Sequence, residues 1–496
     1  MLIQVLISIF LSFSLIISGG FSQEFFPFDN QTALTTGANP KDFNSEFFPV
    51  APFHIGDIIS VRVTYTGESN IAGQEITLTA DVDSKTYEET TNFSGYAQQA
   101  TFYWILDTSD FNPGFLTFNF DIPELQTRWQ QGLHLLPAPN NRTGRWEMEQ
   151  TDCCTIHFVS GTAAEEDIQT IKNTLEEQTQ RAWKYFSDLN AVVQPEYHNN
   201  SLTLVLVPIV VGHGGFASDK AVMTYSRRNW AGTDFAILAH HEVVHVIDRH
   251  LNDGPRPSLL AEGLAVYLSG GHYKKGDPMA RAAAIKAMGN YLPLVDIADN
   301  FYAAQHEIGY MEAAALVAYL VERWGWEEYI DFYFNLPEGN RDSQIISKGL
   351  MSHFGMDLAE IEEDFSATLE ALEPGKSVLE DVRLTIEIYD TLRRYQSLVI
   401  PSAHFRTAWW PPLDPMLDNN IVGDYAYREK SPFNVIVESK FIEMHTQHQA
   451  KNYKAVEKIR TEIEVILDSV QDHQSIISHY DVGWPLQAVP FIKVKP

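Results

Sequence analysis

Four of the eleven residues from His240 to His250 are histidines, and they flank a single glutamate, Glu242, in the stretch HHEVVHVIDRH. His241 and His245 are four residues apart, so on a helix their imidazoles project from one face about one turn apart. Two imidazoles at that spacing can reach one metal ion at the roughly 2 Å of a Zn–N bond. Glu242 would lie beside the pair, where it can accept a proton from a water that the metal activates.

The alternative interpretation is that these histidines are polar residues on a core helix. The surrounding stretch ILAHHEVVHVID is strongly apolar, and burying unpaired imidazoles and a carboxylate in such a helix costs several kcal/mol. The pattern therefore favours a metal site. His240 points about 100° away from His241 around the helix, and His250 falls near the helix end, so we expect both to be neighbours rather than ligands.

A catalytic zinc ion needs a third protein ligand and an open position. The turn NDGPRP is followed by a second predicted helix, SLLAEGLAVYLSG, in which Glu262 is the only carboxylate among apolar residues. A metal ion is the partner that best explains this carboxylate, although helix capping or pairing with Arg256 is an alternative. The sequence thus predicts one zinc ion per chain, held by His241, His245 and Glu262.

The motif HEVVH, followed after 16 residues by the glutamate of AEGLAVY, resembles the gluzincin zinc metallopeptidases. The resemblance is to the peptidase MA-like group, related to thermolysin and the M1 aminopeptidases, and it covers residues 152–370. It implies that His241, His245 and Glu262 bind zinc and that Glu242 is the general base. The chain departs from the thermolysin pattern at Val266, where that pattern has an acidic residue. The stretch ahead of the HEVVH motif, GHGGFASDKAVMTYS, also lacks the glutamate with which the M1 aminopeptidases bind the free amine of a substrate.

Amide hydrolysis builds negative charge on the carbonyl oxygen, and a hydrogen-bond donor besides zinc lowers that barrier. Related enzymes use a tyrosine or histidine downstream of the third ligand. Tyr310, in QHEIGYMEAAALVAYL, resembles the tyrosine of the peptidase MA-like group, and His306 is the alternative. Ordinary packing at a helix start is the competing interpretation for either residue.

The chain has 496 residues, a length that predicts several domains. The segments DIISVRVTYTG, QEITLTADVD, ATFYWILDT and FLTFNFDI alternate in polarity with period two, which predicts an immunoglobulin-like β-sandwich over residues 48–138. Residues 152–373 are expected to form an α+β gluzincin-like catalytic domain, and residues 374–496 a mostly helical C-terminal region.

Residues 1–22 carry no charged side chain and are mostly apolar. They predict a cleaved signal peptide or, alternatively, a retained membrane anchor, ahead of a lead segment at residues 23–47. We therefore expect a secreted or cell-surface protein. The formal net charge of −30 opposes binding to nucleic acid. The expected partner is a peptide or protein substrate, with membrane contact only through a retained anchor.

Cys153 and Cys154 are the only cysteines. Neighbouring cysteines can pair only in a strained local geometry, so the expectation is two unbonded, small apolar residues entering a strand. No further cysteine exists to complete a zinc site with them.

Two functions follow. The first is a secreted zinc-dependent peptidase that uses Glu242 as its base. The second is a non-catalytic extracellular binding or scaffold protein with a vestigial or structural zinc site. A structural site has no use for a base beside the metal and normally closes its fourth position with a protein ligand, so Glu242 favours the enzyme.

Overall fold

A computed structural model describes residues 35–36, 39–137, 144–186, 202–399, 417 and 432–480, with gaps at 49–52, 56, 83–84, 94–97, 109, 209–213, 218, 227–233 and 252–255. The predicted signal peptide or anchor lies outside the described residues. The chain divides into two compact units, with the boundary between residues 143 and 144; the second unit also includes residues 436–468. The N-terminal part is rich in β-strands, the middle mixes helices with a sheet, and the C-terminal part is helical.

The described residues of the first unit form nine strands in two sheets. The larger sheet has the order β1-β9-β8-β5-β6, with β3 also pairing to β9, and the smaller has the order β2-β4-β7. The strands are β1 Thr35–Thr36, β2 Phe43–Phe48, β3 Phe53–His54, β4 Ile58–Tyr65, β5 Glu75–Val82, β6 Lys85–Asn92, β7 Gln99–Asp107, β8 Gly114–Ile122 and β9 Thr127–Leu136.

Alternating side chains from both sheets of this unit form one apolar core. In β5 every second residue is buried, as the period-two sequence pattern requires. Phe43 and Phe47 of β2 belong to the same core. Part of the lead segment at residues 23–47 therefore forms a strand of this unit. The immunoglobulin-like class of this unit stays a prediction.

The second unit is built on a five-stranded sheet of order β10-β11-β12-β14-β13. The pairs β11–β12 and β12–β14 are parallel, whereas β10 and β13 run antiparallel to their neighbours. The strands are β10 Trp146–Gln150, β11 Cys154–Val159, β12 Leu202–Val207, β13 Gly215–Ala217 and β14 Lys220–Thr224.

Cys153 and Cys154 are joined by a disulfide at the start of β11. The expectation of two unbonded cysteines is therefore wrong. The Thr151 hydroxyl accepts the Cys153 and Cys154 backbone N–H groups, so it closes a tight turn next to the disulfide.

Helices make up most of the second unit, and those between residues 163 and 371 pack with the sheet around one apolar core. They are α1 Ala163–Glu166, α2 Ile168–Phe186, α3 Phe235–Leu251, α4 Ser258–Ser269, α5 Pro278–Ala287, α6 Leu294–Asn300, α7 His306–Trp324, α8 Trp326–Phe334, α9 Asp342–Phe354, α10 Leu358–Ala371, α11 Lys376–Val399, α12 Pro432–Gln449 and α13 Tyr453–Tyr480. Among the described helices, none has both the length and the apolarity that crossing a bilayer requires.

A buried ionic cluster ties α11 and α12 to the rest of the second unit. The Asp381 carboxylate accepts hydrogen bonds from Lys274 Nζ at 2.6 Å and from Arg281 Nη1 at 2.7 Å. The buried His448 imidazole, on α12, donates from Nε2 to the Asp381 carbonyl at 3.2 Å. All three ionic side chains are at most 11% exposed, so each charge relies on the others for compensation.

Candidate metal centre

Helix α3 places the HEVVH motif in the interior of the second unit. Asp234 begins the helix, because its side chain accepts the Ala236 N–H at 2.8 Å and so satisfies one of the unpaired donors of the first turn. Residues 237–244 and 246–248 are all buried, so the helix lacks the polar face of a surface helix. His241 and Glu242 are 7% and 3% exposed.

Helix α4 carries Glu262 toward α3. It ends at Gly270, which adopts the left-handed conformation with φ of 78° that glycine accommodates without strain. Gly263 lets α4 approach α7 closely, because a Cβ there would lie 2.6 Å from the Ala313 carbonyl oxygen. The neighbouring Glu262 is 8% exposed.

The three predicted ligands meet at one point. His241 Nε2 lies 3.2 Å from Glu262 Oε2, His245 Nε2 lies 3.1 Å from the same oxygen, and the two Nε2 atoms are 3.1 Å apart. Ligand atoms bound tetrahedrally to one zinc ion at about 2.0–2.1 Å lie about 3.3 Å from one another. The donor set and its spacing therefore fit a single metal ion, and the assignment of these residues as ligands stays a prediction.

Electrostatics also favour a cation at this point. Burial alone would raise the pKa of Glu262, but the His245 charge and the hydrogen bonds from both histidines hold that pKa well below its ordinary value. Burial likewise would lower the pKa of His245, yet the Glu262 carboxylate raises it to about 9. Two imidazole nitrogens 3.1 Å apart repel through their lone pairs unless a proton or a cation lies with them, and a metal ion would take that place.

Glu242 lies beside the three ligands with its carboxylate buried. Burial raises its pKa to about 8, with a further increase from Glu262 and a decrease from His245. Its Oε2 atom has no hydrogen-bond partner among the described residues. Such an acceptor, held apart from other donors, is suited to receive a proton from a water or substrate.

Gly215, at the start of β13, leaves room for this carboxylate. A Cβ on residue 215 would lie 2.1 Å from Glu242 Oε1 and 2.8 Å from Leu238 Cδ1. The sequence showed a glycine-rich stretch at this point but did not show that one of its glycines packs against the proposed base.

Tyr302 is a contact of Glu262 that sequence reasoning missed. Its hydroxyl donates to Glu262 Oε1 at 2.8 Å, while Oε2 faces the two histidines. The ring is 70% exposed, and its segment, DNFYAAQ, has no motif that would single out the tyrosine. A hydrogen bond of this kind orients a metal-ligating carboxylate.

Tyr310 and His306, the two predicted transition-state donors, both lie on α7, with ring centroids 4.5 Å apart. The Tyr310 ring is 6.2 Å from the His241 ring, centroid to centroid, and stacks on His272 at 3.9 Å. His306 stacks on Tyr389 at 4.4 Å. Burial raises the pKa of Tyr310 well above its ordinary value, so its hydroxyl stays protonated and can donate. The choice between the two residues stays a prediction.

The remaining charged neighbours have other partners. Asp248 accepts from Tyr333 Oη at 2.8 Å, and Arg256 approaches it at 3.6 Å. Arg256 therefore pairs with Asp248 rather than with Glu262. His240 is buried edge-on against Tyr185. Burial lowers the pKa of His240 to about 4, and His240 is not among the residues whose ligand atoms lie together at this point.

No protein-family model and no curated protein matches this chain. Among solved structures, it is similar to a metallopeptidase from Bacteroides thetaiotaomicron, at 11% sequence identity. The match covers 83% of this chain and 67% of that chain, with a TM-score of 0.25.

Proposed function

We propose that the chain is a zinc-dependent peptidase of the gluzincin type. The observation that carries the proposal is the convergence of His241, His245 and Glu262 within 3.2 Å of one another, beside a buried carboxylate that is not one of them. A structural zinc site would need no such base. A zinc ion at these three ligands would supply Lewis acidity, making a water more acidic and polarising the scissile carbonyl.

In this proposal Glu242 accepts the proton of the attacking water and later donates it to the leaving amine. Its buried position and raised pKa of about 8 suit a group that must both take and return a proton. A cation held by the neighbouring ligands would lower that pKa and so favour the basic form of Glu242. Tyr310 donates a hydrogen bond to the oxyanion as charge develops there.

The edge of the sheet suggests how a substrate binds. In the described part of the chain, β13 pairs only with β14, and it starts at Gly215, directly against Glu242. An extended peptide bound next to β13 would run past the base, and backbone hydrogen bonding to a strand is a common way of holding such a peptide. Peptides and unfolded protein segments are therefore the substrate class that we propose.

We further propose that the protein acts outside the cytoplasm and that its N-terminal unit is an immunoglobulin-like module. The apolar, uncharged residues 1–22 support export. The disulfide between Cys153 and Cys154 is in keeping with an oxidising compartment.

The experiment combines metal analysis with digestion of a peptide library by the full chain. Wild-type protein should contain about one tightly bound zinc ion and cleave internal or terminal peptide bonds. His241→Ala and Glu262→Ala should lose that ion and the cleavage together. His353, on α9 beside Asp331, offers a matched control, because His353→Ala removes a histidine away from the ligands and should change neither. Unchanged zinc content in both ligand variants would contradict the proposal.

A further inference from the structure

A second group of metal-ligating side chains lies next to the first. His272 follows helix α4, and His306 and Glu307 form the first turn of α7. His272 Nδ1 is 2.7 Å from Glu307 Oε1, and one potential ligand atom from each of the three residues lies within 4.8 Å of the others. The side chains of His272 and Glu307 are 8% and 1% exposed.

The positions of the two imidazoles are fixed by aromatic packing. The His272 ring stacks on Tyr310 with centroids 3.9 Å apart and planes 4° apart. The His306 ring stacks on Tyr389 at 4.4 Å, also at 4°. Rings that are held before an ion arrives lose little conformational entropy on binding it.

The turn that carries His272 is equally constrained. Gly271 has a φ of 152°, and a Cβ there would lie 2.0 Å from the Lys274 carbonyl oxygen. The backbone then returns to pair Gly271 with Lys275. Only glycine allows this turn, and the turn directs the next residue, His272, toward Glu307.

An ion pair between His272 and Glu307 is the simplest alternative, but it does not use His306. The His272 and His306 rings are 5.2 Å apart, close to the 4.7 Å between the rings of His241 and His245. Two imidazoles with one buried carboxylate form a nitrogen and oxygen donor set that suits zinc and cobalt.

We propose that His272, His306 and Glu307 bind a second divalent transition-metal ion, adjacent to the one at His241, His245 and Glu262. The His241 and His272 rings are 5.7 Å apart, so the two sites are neighbours, with Tyr310 packed against both. We expect the second ion to bind more weakly than the first, because two cations held at neighbouring sites repel each other. In this arrangement His306 binds metal and is not the transition-state donor.

The test is a metal titration of the full chain, first stripped with a chelator and then equilibrated with buffered free Zn²⁺. Bound metal is counted by elemental analysis after separation. Wild-type protein should bind one ion at low free Zn²⁺ and a second at higher free Zn²⁺, and Co²⁺ should give two successive changes in visible absorption. A single ion per chain across the whole titration would overturn the proposal without any variant.

Variants then assign the residues. His306→Ala and His272→Gln should each weaken the second binding step by more than about a hundredfold, the upper range for losing a hydrogen-bonding neighbour of a ligand, and leave the first step unchanged. His353→Ala should change neither step. A second ion retained at wild-type affinity in both ligand variants would refute the assignment. Because metal is counted, the result does not depend on peptidase activity: two ions without cleavage would refute only the proposed function.

Discussion

Replacing Gly215 by alanine tests the claim that Glu242 acts from a confined position. The added Cβ would lie 2.1 Å from Glu242 Oε1 and 2.8 Å from Leu238 Cδ1, whereas ordinary contacts begin at 3.4 Å. Leu238 is part of the packed core, so the easiest relief is for the carboxylate to swing away by about 1.3 Å. A displacement of about 1 Å at a reacting group can cost about a hundredfold in rate, or about 2.7 kcal/mol.

The assay measures kcat and KM on a cleaved peptide, together with zinc content and thermal unfolding. Gly215→Ala should lose about a hundredfold in kcat and keep its zinc, because the ligand atoms lie on other residues. Gly375→Ala is the matched control, since a Cβ there meets nothing within 4 Å. In a Glu242→Gln background the Gly215→Ala change should cost little more, because the base is already lost. A Gly215→Ala enzyme with wild-type kcat would refute the reasoning.

Three further predictions concern neighbouring interactions. Tyr302→Phe removes the donor to Glu262 and should weaken zinc affinity about 10- to 100-fold in a chelator competition; unchanged affinity would count against its orienting role. Tyr310→Phe should lower kcat about a hundredfold with KM and zinc content preserved, and a silent substitution would exclude it as the oxyanion donor. Asp381→Asn leaves two buried cations uncompensated and should lower the free energy of unfolding by about 3–5 kcal/mol in denaturant melts. Glu370→Gln, at an exposed pair, should cost less than about 1 kcal/mol; equal effects would contradict the burial argument.

The pH dependence of the Asp381 contribution has a definite sign. Burial alone would raise the Asp381 pKa, but hydrogen bonding from Lys274 and the charge of Arg281 lower it below its ordinary value. The stability that this carboxylate contributes is therefore present above its unfolded-state pKa of about 3.9. It is lost as the pH falls through the lowered pKa of the folded state. The difference in unfolding free energy between wild type and Asp381→Asn should accordingly shrink in acid.

The sequence was most informative where a periodic pattern and a chemical motif coincide. The apolar stretch ILAHHEVVHVID indicated a buried helix, and the spacing of His241 and His245 on such a helix requires their imidazoles to meet, as they do in the structure. That Glu262 would lie next to another polar group could be predicted, because one carboxylate in an apolar helix needs a partner. The alternating segments likewise indicated the β-rich N-terminal part.

Contacts between distant segments could not be predicted in the same way. Tyr302 is hydrogen-bonded to Glu262, which lies 40 residues away in the sequence. Nothing in the local sequence of Tyr302 indicates that contact. Gly215 is one of several glycines in its stretch, and only the packed structure shows which of them lies against Glu242. The disulfide between Cys153 and Cys154 was missed because pairing of neighbouring cysteines depends on the local backbone geometry, which the sequence pattern does not show. For Tyr302 and Gly215 the tertiary contact, not local propensity, determines the outcome.

The central claim, that Glu242 is the base of a metal-dependent peptidase, is tested most directly by Glu242→Gln. The substitution keeps the size and the hydrogen-bonding capacity of the side chain but removes its ability to accept a proton. Zinc content and turnover of a cleaved peptide are measured on the same protein sample. The account predicts wild-type zinc content with kcat reduced by at least about a hundredfold; full turnover in a zinc-loaded Glu242→Gln protein would contradict it.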